Sequence, residues 1–305
     1  MQYKNKLAVI VPTRNRVFEL KRLLNSISSQ SCKPDQIIII DNSAQSNEKI
    51  FTNYNNMPIV YKFVDVNSSA KSRNIGALLV KDDIGLISFF DDDIVLEQDA
   101  FKNMMDFWEQ ADDATAGCGF NIIDNKKPNW FSVVFVKSIF YMATTKRGKV
   151  LKSVFNNSYA PAEKTGQTEW LSSCAQVWRK GIFNQFLFDE WFEEYSFLED
   201  IEQSYRISRK YKVYVLKEAK VRHLTNKSQN DNFARGRMEI RNRLYIAKKL
   251  SSLSPALAVW ASFGQGVIHL IKSIFKLKPG LFTRAIGNWT AIIEFLKTGG
   301  SSANF

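Results

Sequence analysis

The 305-residue sequence is poor in cysteine, glycine and proline, and each shortage excludes a class of protein. Its three cysteines, Cys32, Cys118 and Cys174, form no C-x-x-C pair, which argues against a disulfide framework or a structural zinc site and favours a reducing compartment. Fourteen glycines and seven prolines are too few for long flexible linkers. The first apolar run, Leu7–Val11, is too short for a secretory signal peptide. A composition of 45% hydrophobic and 24% charged residues is that of a globular protein.

Acidic residues are scarce in the last third of the chain. Residues 206–305 contain 19 Lys and Arg but only 4 Asp and Glu. Residues 1–205 contain 23 Lys and Arg and 26 Asp and Glu. The formal net charge of +12 therefore comes from the C-terminal third, which predicts a basic surface there.

The first 120 residues alternate between short apolar runs and segments with helical spacing. Runs that are apolar at every position are typical of strands buried on both faces, as in parallel sheets covered by helices. The strand–helix–strand order predicts an α/β fold with a Rossmann-like, mostly parallel, doubly wound sheet and helices on both faces. The predicted strands are Leu7–Val11, Ile37–Ile40, Ile59–Val66 and Gly85–Phe90, and the predicted helices are Phe18–Ser29 and Ala70–Val80.

The second half of this region is less regular. Strands are predicted at Gly117–Ile123 and Trp170–Trp178, a helix at Asp200–Lys210 and an edge strand at Val213–Leu216.

Three groups of polar residues follow predicted strands: Pro12-Thr13-Arg14, Asp41 and Asp91-Asp92-Asp93. Ligands of parallel α/β sheets bind beyond the carboxyl ends of the strands, so these groups should converge. Three adjacent carboxylates cost several kcal/mol each if buried unpaired, and a divalent cation such as Mg²⁺ or Mn²⁺ would remove that cost. The alternative is an acidic turn in which Asp93 caps a following helix, Ile94–Trp108.

Four further polar residues have a chemical and a structural interpretation. Asp200, in Glu199-Asp200, could act as a general base or only cap a helix. Asp41 could accept hydrogen bonds from a base or ribose, or form a turn. Arg73 could bind a diphosphate, or form an exposed ion pair. His223 could complete a metal site or contact the leaving phosphate, or it could be structural.

In their order and spacing, several segments together resemble the inverting family 2 glycosyltransferases of the GT-A fold. The resemblance covers roughly residues 5–225. The segments are VIVPTRNR, the strand-end Asp41, SSAKSRNIGALLV, FFDDDI and the stretch from RKGIF through FLEDIEQSYRI to KVRH. The resemblance implies a glycosyltransferase domain over residues 1–225, with a nucleotide-sugar half (1–120) and an acceptor half (121–225).

The resemblance also implies roles for individual residues on the donor side. Pro12, Thr13, Arg14 and Asp41 would form the nucleotide-base pocket. Arg73 would lie near the ribose and diphosphate of a nucleoside-diphosphate sugar.

The remaining roles concern the metal and the chemistry. Asp91-Asp92-Asp93 would be the DxD element, with Asp93 as the chief ligand of Mn²⁺ or Mg²⁺, Asp91 beside it and Asp92 close to the ribose. His223 matches a histidine found after the last strand in this family. Asp200 would be the base that deprotonates an acceptor hydroxyl.

Residues 226–305 form a predicted basic helical extension. Arg235–Leu250 is a basic amphipathic helix, and Leu250–Ile271 contains no charged residue but is interrupted by polar residues, Gly and Pro255. Flanking lysines and two tryptophans, Trp260 and Trp289, favour helices lying on an anionic membrane surface over a bilayer span. A helical subdomain packed on the sheet is the alternative.

This extension makes a lipid-linked saccharide the expected acceptor, while a protein or a free sugar stays open as an alternative. We expect a cytoplasmic protein bound peripherally to the inner face of the membrane, with an oligomer also possible. A nucleic-acid-binding protein would need basic residues interleaved with exposed aromatics, so we expect no nucleic-acid partner. A non-catalytic nucleotide-sugar-binding protein would need no Asp200. A nucleotidyltransferase would carry a glycine-rich phosphate loop, which PTRNRVFEL lacks.

Overall fold

The computed structural model describes residues 3–125, 138–194, 196–224, 232–275 and 278–299. The chain divides into two compact units. The sheet unit contains residues 1–126 and 159–225, and the helical unit contains residues 127–158 and 226–305.

The first four strands of the sheet unit are parallel, as the strand–helix–strand order of the sequence predicts. They are β1 (Leu7–Thr13), β2 (Gln36–Asp41), β3 (Ile59–Phe63) and β4 (Leu86–Phe90), in the spatial order β3-β2-β1-β4. Every residue of β2 and β4 is buried.

The remaining strands extend the sheet beyond β4 with mixed direction. They are β5 (Ile94–Leu96), β6 (Thr115–Ile122), β7 (Gly166–Gln167), β8 (Ala175–Arg179) and β9 (Lys212–His223). The order continues β4-β8-β6-β9-β5, and β7 also pairs with β9. Strand β8 is antiparallel to both of its neighbours, while β9 is parallel to β6. The parallel arrangement therefore holds for the first half of the sheet, and the second half is mixed.

Two sequence predictions about this second half are wrong. The helix expected over Ile94–Trp108 begins only at Ala100, because Ile94–Leu96 pairs as β5 with Val221–His223. The edge strand expected over Val213–Leu216 is instead part of β9, which lies between β6 and the pair β5 and β7.

Helices cover both faces of the parallel strands. They are α1 (Val17–Ser28), α2 (Ser69–Leu78), α3 (Ala100–Gln110) and α4 (Glu199–Ser208). Leu7, Val9 and Val11 share one core cluster with side chains of α1 and α3. Ile10 points the other way, towards α2, where a Cβ added to Gly76 would lie 2.4 Å from Ile10 Cγ2. Glycine at position 76 thus allows α2 to lie close to the sheet.

The helical unit contains α5 (Asn232–Lys249), α6 (Pro255–Phe275) and α7 (Pro279–Lys297). It also includes residues 127–158, which the sequence assigns to the acceptor half of the first domain. Among the described residues, Met142 and Phe155 form a small core with Ala261 of α6, which explains this assignment. By length and composition alone, α6 could cross a membrane.

Candidate active site at the carboxyl ends of the strands

Antiparallel pairing brings Asp93 to His223. Ile94 lies opposite His223 in the pairing of β5 with β9, and the Leu224 N–H donates to the Asp93 carbonyl oxygen at 3.0 Å. His223 Nε2 consequently lies 3.1 Å from Asp93 Oδ1. The short strand β5, which periodicity does not reveal, thus brings together two residues separated by 130 positions.

Arg16 bridges two of the three adjacent carboxylates. Its Nη1 lies 2.8 Å from Asp92 Oδ1 and its Nη2 lies 2.8 Å from Asp93 Oδ2. Thr13, the last residue of β1, donates from Oγ1 to Asp92 Oδ2 at 2.8 Å. The sequence reasoning missed Arg16, although the second arginine of PTRNR lies at the same strand end as Arg14.

Asp91, Asp93 and His223 form a cluster that fits a divalent cation. One ligand atom from each lies within 4.8 Å of the other two. Asp93 Oδ1 is buried and faces His223 Nε2, which donates a hydrogen bond to it when protonated and presents a second lone pair when unprotonated. Two such acceptors 3.1 Å apart need a proton or a cation to offset their repulsion. Carboxylates with one imidazole suit Mn²⁺ or Mg²⁺ better than a thiolate-seeking metal.

Burial and charge shift the pKa values of these groups in different directions. Burial raises the pKa of Asp92 to about 7, against the opposing effects of Arg16 and Thr13. Burial alone would also raise the pKa of Asp93, but hydrogen bonds from His223 and Arg16 hold it below its ordinary value. His223 has a raised pKa: burial lowers it, but Asp93 more than compensates.

Asp200 lies in the first turn of α4, as the sequence predicts. Its Oδ2 accepts a hydrogen bond from the Ser173 N–H at 3.2 Å, and its Oδ1 accepts one from the Ile201 N–H at 2.8 Å. The adjacent Cys174 carbonyl accepts a hydrogen bond from the Asp91 N–H at 3.0 Å. The loop before β8 therefore touches both Asp200 and the aspartate cluster.

The surroundings of Asp200 raise its pKa. Burial is the largest cause, and the two backbone N–H groups and Arg73 oppose it. A carboxylate with a raised pKa is a better proton acceptor than a solvated one, provided that it is ionised at the working pH.

Arg73 is buried between two acids, which corrects the exposed ion pair considered above. Its Nη1 lies 2.6 Å from Glu199 Oε1 and its Nη2 lies 2.8 Å from Asp91 Oδ1. Its guanidinium carbon also lies 5.6 Å from the centre of the Phe188 ring. Burial and the charges of Asp200 and Asp91 raise the pKa of Glu199, while Arg73 opposes that shift.

Asp41 is fully buried at the end of β2, and its carboxylate is already hydrogen-bonded. It accepts hydrogen bonds from the Ser43 N–H at 2.9 Å, from Asn47 Nδ2 at 2.9 Å and from the Tyr61 hydroxyl at 2.8 Å. These contacts hold the pKa of Asp41 below its ordinary value, although burial acts in the opposite direction. Its contact with a nucleotide stays a prediction, and the visible role is to fix the loop after β2.

The other predicted donor-binding residues lie at the end of β1. Pro12 precedes Thr13 within the strand, and the exposed Arg14 donates from Nη1 to Asn67 Oδ1. Asn15, between Arg14 and Arg16, has a φ of +55°, a left-handed conformation that asparagine adopts more readily than most residues. All of the predicted site residues therefore lie in the sheet unit.

Comparisons with solved structures show the fold. The S. aureus protein TarS (residues 1–349) aligns with a TM-score of 0.55 at 14% identity, over 96% of this chain and 82% of that chain. The mannosyltransferase PcManGT from Pyrobaculum calidifontis, solved with GDP-Man and Mn²⁺, aligns with a TM-score of 0.55 at 12% identity, over 100% and 84% of the two chains. GalNAc-T7, solved with UDP, GalNAc and Mn²⁺, aligns with a TM-score of 0.64 at 13% identity, over 98% and 58%. These neighbours confirm the GT-A fold.

Sequence comparison shows the family. The O-antigen chain rhamnosyltransferase RfbN of Salmonella typhimurium (strain LT2) is 26% identical over 234 residues, which span 75% of this chain and 70% of the relative. The model of Glycosyl transferase family 2 matches residues 8–166, slightly more than half of the chain. The chain therefore belongs to glycosyl transferase family 2, which confirms the resemblance and makes it a glycosyltransferase.

Proposed function

We propose that this glycosyltransferase moves a sugar from a nucleoside-diphosphate donor to a saccharide hydroxyl, with inversion at the anomeric carbon and with a divalent cation. The observation that carries the proposal is the loop before β8. Its backbone binds Asp200 through Ser173 and the N–H of Asp91 through Cys174. A proton acceptor and a cation-binding cluster are thus joined by two consecutive residues.

The donor would bind at the carboxyl ends of β1, β2 and β4. Pro12, Thr13, Arg14 and Asp41 would surround the base, with Asp92 towards the ribose. Two of the structural neighbours were solved with UDP or GDP-Man, which supports a nucleotide-linked donor.

Asp91, Asp93 and His223 would hold Mn²⁺ or Mg²⁺. When bound, such an ion supplies positive charge that stabilises the developing diphosphate leaving group. The same two neighbours contain Mn²⁺ in their solved structures, which supports a divalent cation in the reaction. Arg16 and Arg73 are ion-paired with the three aspartates, and they would limit the net negative charge around the donor.

Asp200 would accept the proton of the attacking hydroxyl. Cys118 and Cys174 are buried, and burial raises the pKa of both thiols, so neither is suited to act as a nucleophile. A single base without a covalent intermediate favours one displacement, in which the hydroxyl attacks from the face opposite the leaving group.

We place the acceptor on a polysaccharide assembled at the inner face of the cell membrane. The relative named as an O-antigen chain rhamnosyltransferase supports a saccharide acceptor. A lipid-linked saccharide fits the basic helical unit, and three free cysteines fit a cytoplasmic location.

The test is a panel of nucleotide sugars with and without Mn²⁺, scored by release of the nucleoside diphosphate. We expect hydrolysis of one donor, dependent on the metal. When a saccharide acceptor is added to that donor, NMR coupling constants should show a β-linked product from an α-linked donor. Retention of the anomeric configuration, or hydrolysis unaffected by chelation, would overturn the corresponding part of the proposal.

A further inference from the structure

Helix α6 presents an apolar stripe to solvent. With the half-buried Val267 between them, its exposed side chains fall on one side of the helix, as the helical repeat of 3.6 residues requires. They include two aromatic residues near its start and a more exposed group at its end: Trp260, Phe263, Ile271, Ile274 and Phe275. Ile274 is 63% exposed and Phe275 is 83% exposed.

Helix α7 presents a second stripe beside the first. Phe282, Ile286, Ile293 and Leu296 are all exposed, and the half-buried Trp289 lies between them on the same side of the helix. The two stripes meet where the Phe263 and Trp289 rings lie 6.3 Å apart, and Trp289 Nε1 donates to the Phe263 carbonyl at 3.4 Å. The result is a continuous apolar surface on two helices, which we call the α6–α7 face. Contiguous apolar surfaces of this kind usually mark an interaction site.

The opposite side of α6 is packed and polar, which argues against a bilayer span. Gln265 Nε2 donates to Glu239 Oε1 of α5 at 2.8 Å, and Arg284 of α7 pairs with the same carboxylate at 2.7 Å. His269 Nδ1 and Asn288 Oδ1 lie 2.9 Å apart. If α6 left α5 and α7 to cross a bilayer, an amide, an imidazole and an ion pair would be exposed to lipid, which is energetically costly. Helix α6 keeps its polar contacts if it lies flat.

Charge decides between two possible partners of the α6–α7 face, a second copy of the helical unit and an anionic lipid surface. The helical unit contains 18 Lys and Arg and only 3 Asp and Glu. Both acids in the described part of the unit are already paired with arginine: Glu239 with Arg243 and Arg284, and Glu294 with Arg237. A second copy of this unit would bring a second strongly basic surface. An anionic lipid surface offers the opposite charge together with an apolar interior.

We infer that the α6–α7 face docks in the plane of an anionic bilayer, with α6 and α7 parallel to the surface and their apolar stripes among the acyl chains. This inference rests on the membrane location in the proposed function and adds the surface and its orientation. It does not depend on the donor chemistry of the sheet unit.

The test uses the full chain with vesicles of phosphatidylcholine alone or mixed with phosphatidylglycerol. We expect binding to the mixed vesicles that weakens with salt, because Lys and Arg attraction to lipid is screened. Bromine on the lipid tails near the headgroups should quench tryptophan more than bromine near the tail ends, and Trp260→Phe should reduce this quenching.

The decisive variant is Ile274→Gln/Phe275→Gln, which removes two exposed apolar side chains and should leave the packed side of α6 unchanged. We expect vesicle affinity to fall at least about tenfold. Leu78→Gln is the matched control, because Leu78 of the sheet unit is 81% exposed and lies outside the face. Donor hydrolysis by Trp260→Phe, by the double variant and by Leu78→Gln should equal that of the wild type.

Several outcomes would overturn the inference. They are the absence of vesicle binding, deep quenching with release only by detergent, and loss of self-association instead of lipid binding in the double variant. If donor hydrolysis is intact while vesicles are not bound, the inference fails and the proposed chemistry stands. If vesicles are bound but no donor is hydrolysed, the proposed chemistry fails and the membrane inference stands.

Discussion

Arg73 Nη1 lies 2.6 Å from Glu199 Oε1, although 126 positions separate the two residues in the chain. The same guanidinium binds Asp91, so one buried cation connects the loop after β4 to the first turn of α4. Glu199 immediately precedes Asp200. The position of the proposed base is therefore linked to a proposed metal ligand through Arg73.

This connection predicts that Arg73→Lys affects turnover more than donor binding. Lysine keeps one positive charge but cannot donate in the planar fork that reaches both acids. We expect kcat to fall at least about tenfold with the donor KM within about threefold, and stability to fall by about 2 kcal/mol from the lost charged hydrogen bonds. A tenfold rise in donor KM with kcat retained would instead support the diphosphate contact expected from the sequence.

Asp93→Ala should abolish Mn²⁺ binding while the fold persists. The change removes a ligand from the cluster of Asp91, Asp93 and His223 and also leaves Arg16 with one acidic partner. Calorimetric titration with Mn²⁺ in the absence of donor measures the effect directly. Asp113→Ala, at an exposed position outside the cluster, is the matched control and should bind as the wild type does. Unchanged Mn²⁺ affinity in Asp93→Ala would refute the metal assignment.

Asp200→Asn should lower kcat by a factor of about 10² or more with little change in donor affinity. The amide keeps the shape of the side chain but cannot accept a proton from the acceptor hydroxyl. Because burial raises the pKa of Asp200, the wild-type rate at saturating metal should fall on the acid side as this group protonates. Glu199→Gln is the comparison: if it loses more activity than Asp200→Asn, then Glu199 is the base.

Glu239→Gln should destabilise the helical unit in a pH-dependent way. Burial alone would raise the pKa of Glu239, but Arg243, Arg284 and Gln265 together hold it below the ordinary 4.5. The lowered pKa means that the ionised carboxylate stabilises the fold above about pH 4.5, and that this stability is lost as the pH falls through the folded-state pKa.

We therefore expect a loss of about 3 kcal/mol in Glu239→Gln at neutral pH, as for other broken buried ion pairs, and a smaller difference from wild type at acid pH. Thermal unfolding followed by circular dichroism at several pH values measures this. Glu294→Gln breaks a more exposed pair with Arg237 and should cost less than about 1 kcal/mol. A stability difference between wild type and Glu239→Gln that does not change with pH would contradict a stabilising role for the ionised Glu239 carboxylate.

Much of the fold was predictable from local pattern. Strands β1, β2 and β4 contain runs of consecutive apolar residues because both of their faces are buried, and that pattern is visible in the sequence. The aspartates after β4 and the start of α4 at Glu199 were also predictable, since both follow from where an apolar or helical run begins or ends.

The parts that were missed depend on contacts between distant residues. The three residues of β5 are too few to show a period, and they become a strand only because β9 lies beside them. The role of Arg16 depends on Asp92 and Asp93, more than 70 positions away. The place of Met142 and Phe155 in the helical unit depends on packing against α6, which no local pattern encodes.

The hydrogen bonds that join the two sides of the site at Ser173 and Cys174 are made by main-chain atoms. Nineteen of the twenty amino acids supply the N–H that Ser173 donates to Asp200, and all twenty supply the carbonyl that Cys174 offers to Asp91. Only proline at position 173 would remove a partner. The spacing between the aspartate cluster and Asp200 can thus persist through evolutionary drift of the side chains at these two positions, so relatives could inherit the dimensions of this site without sharing its sequence there.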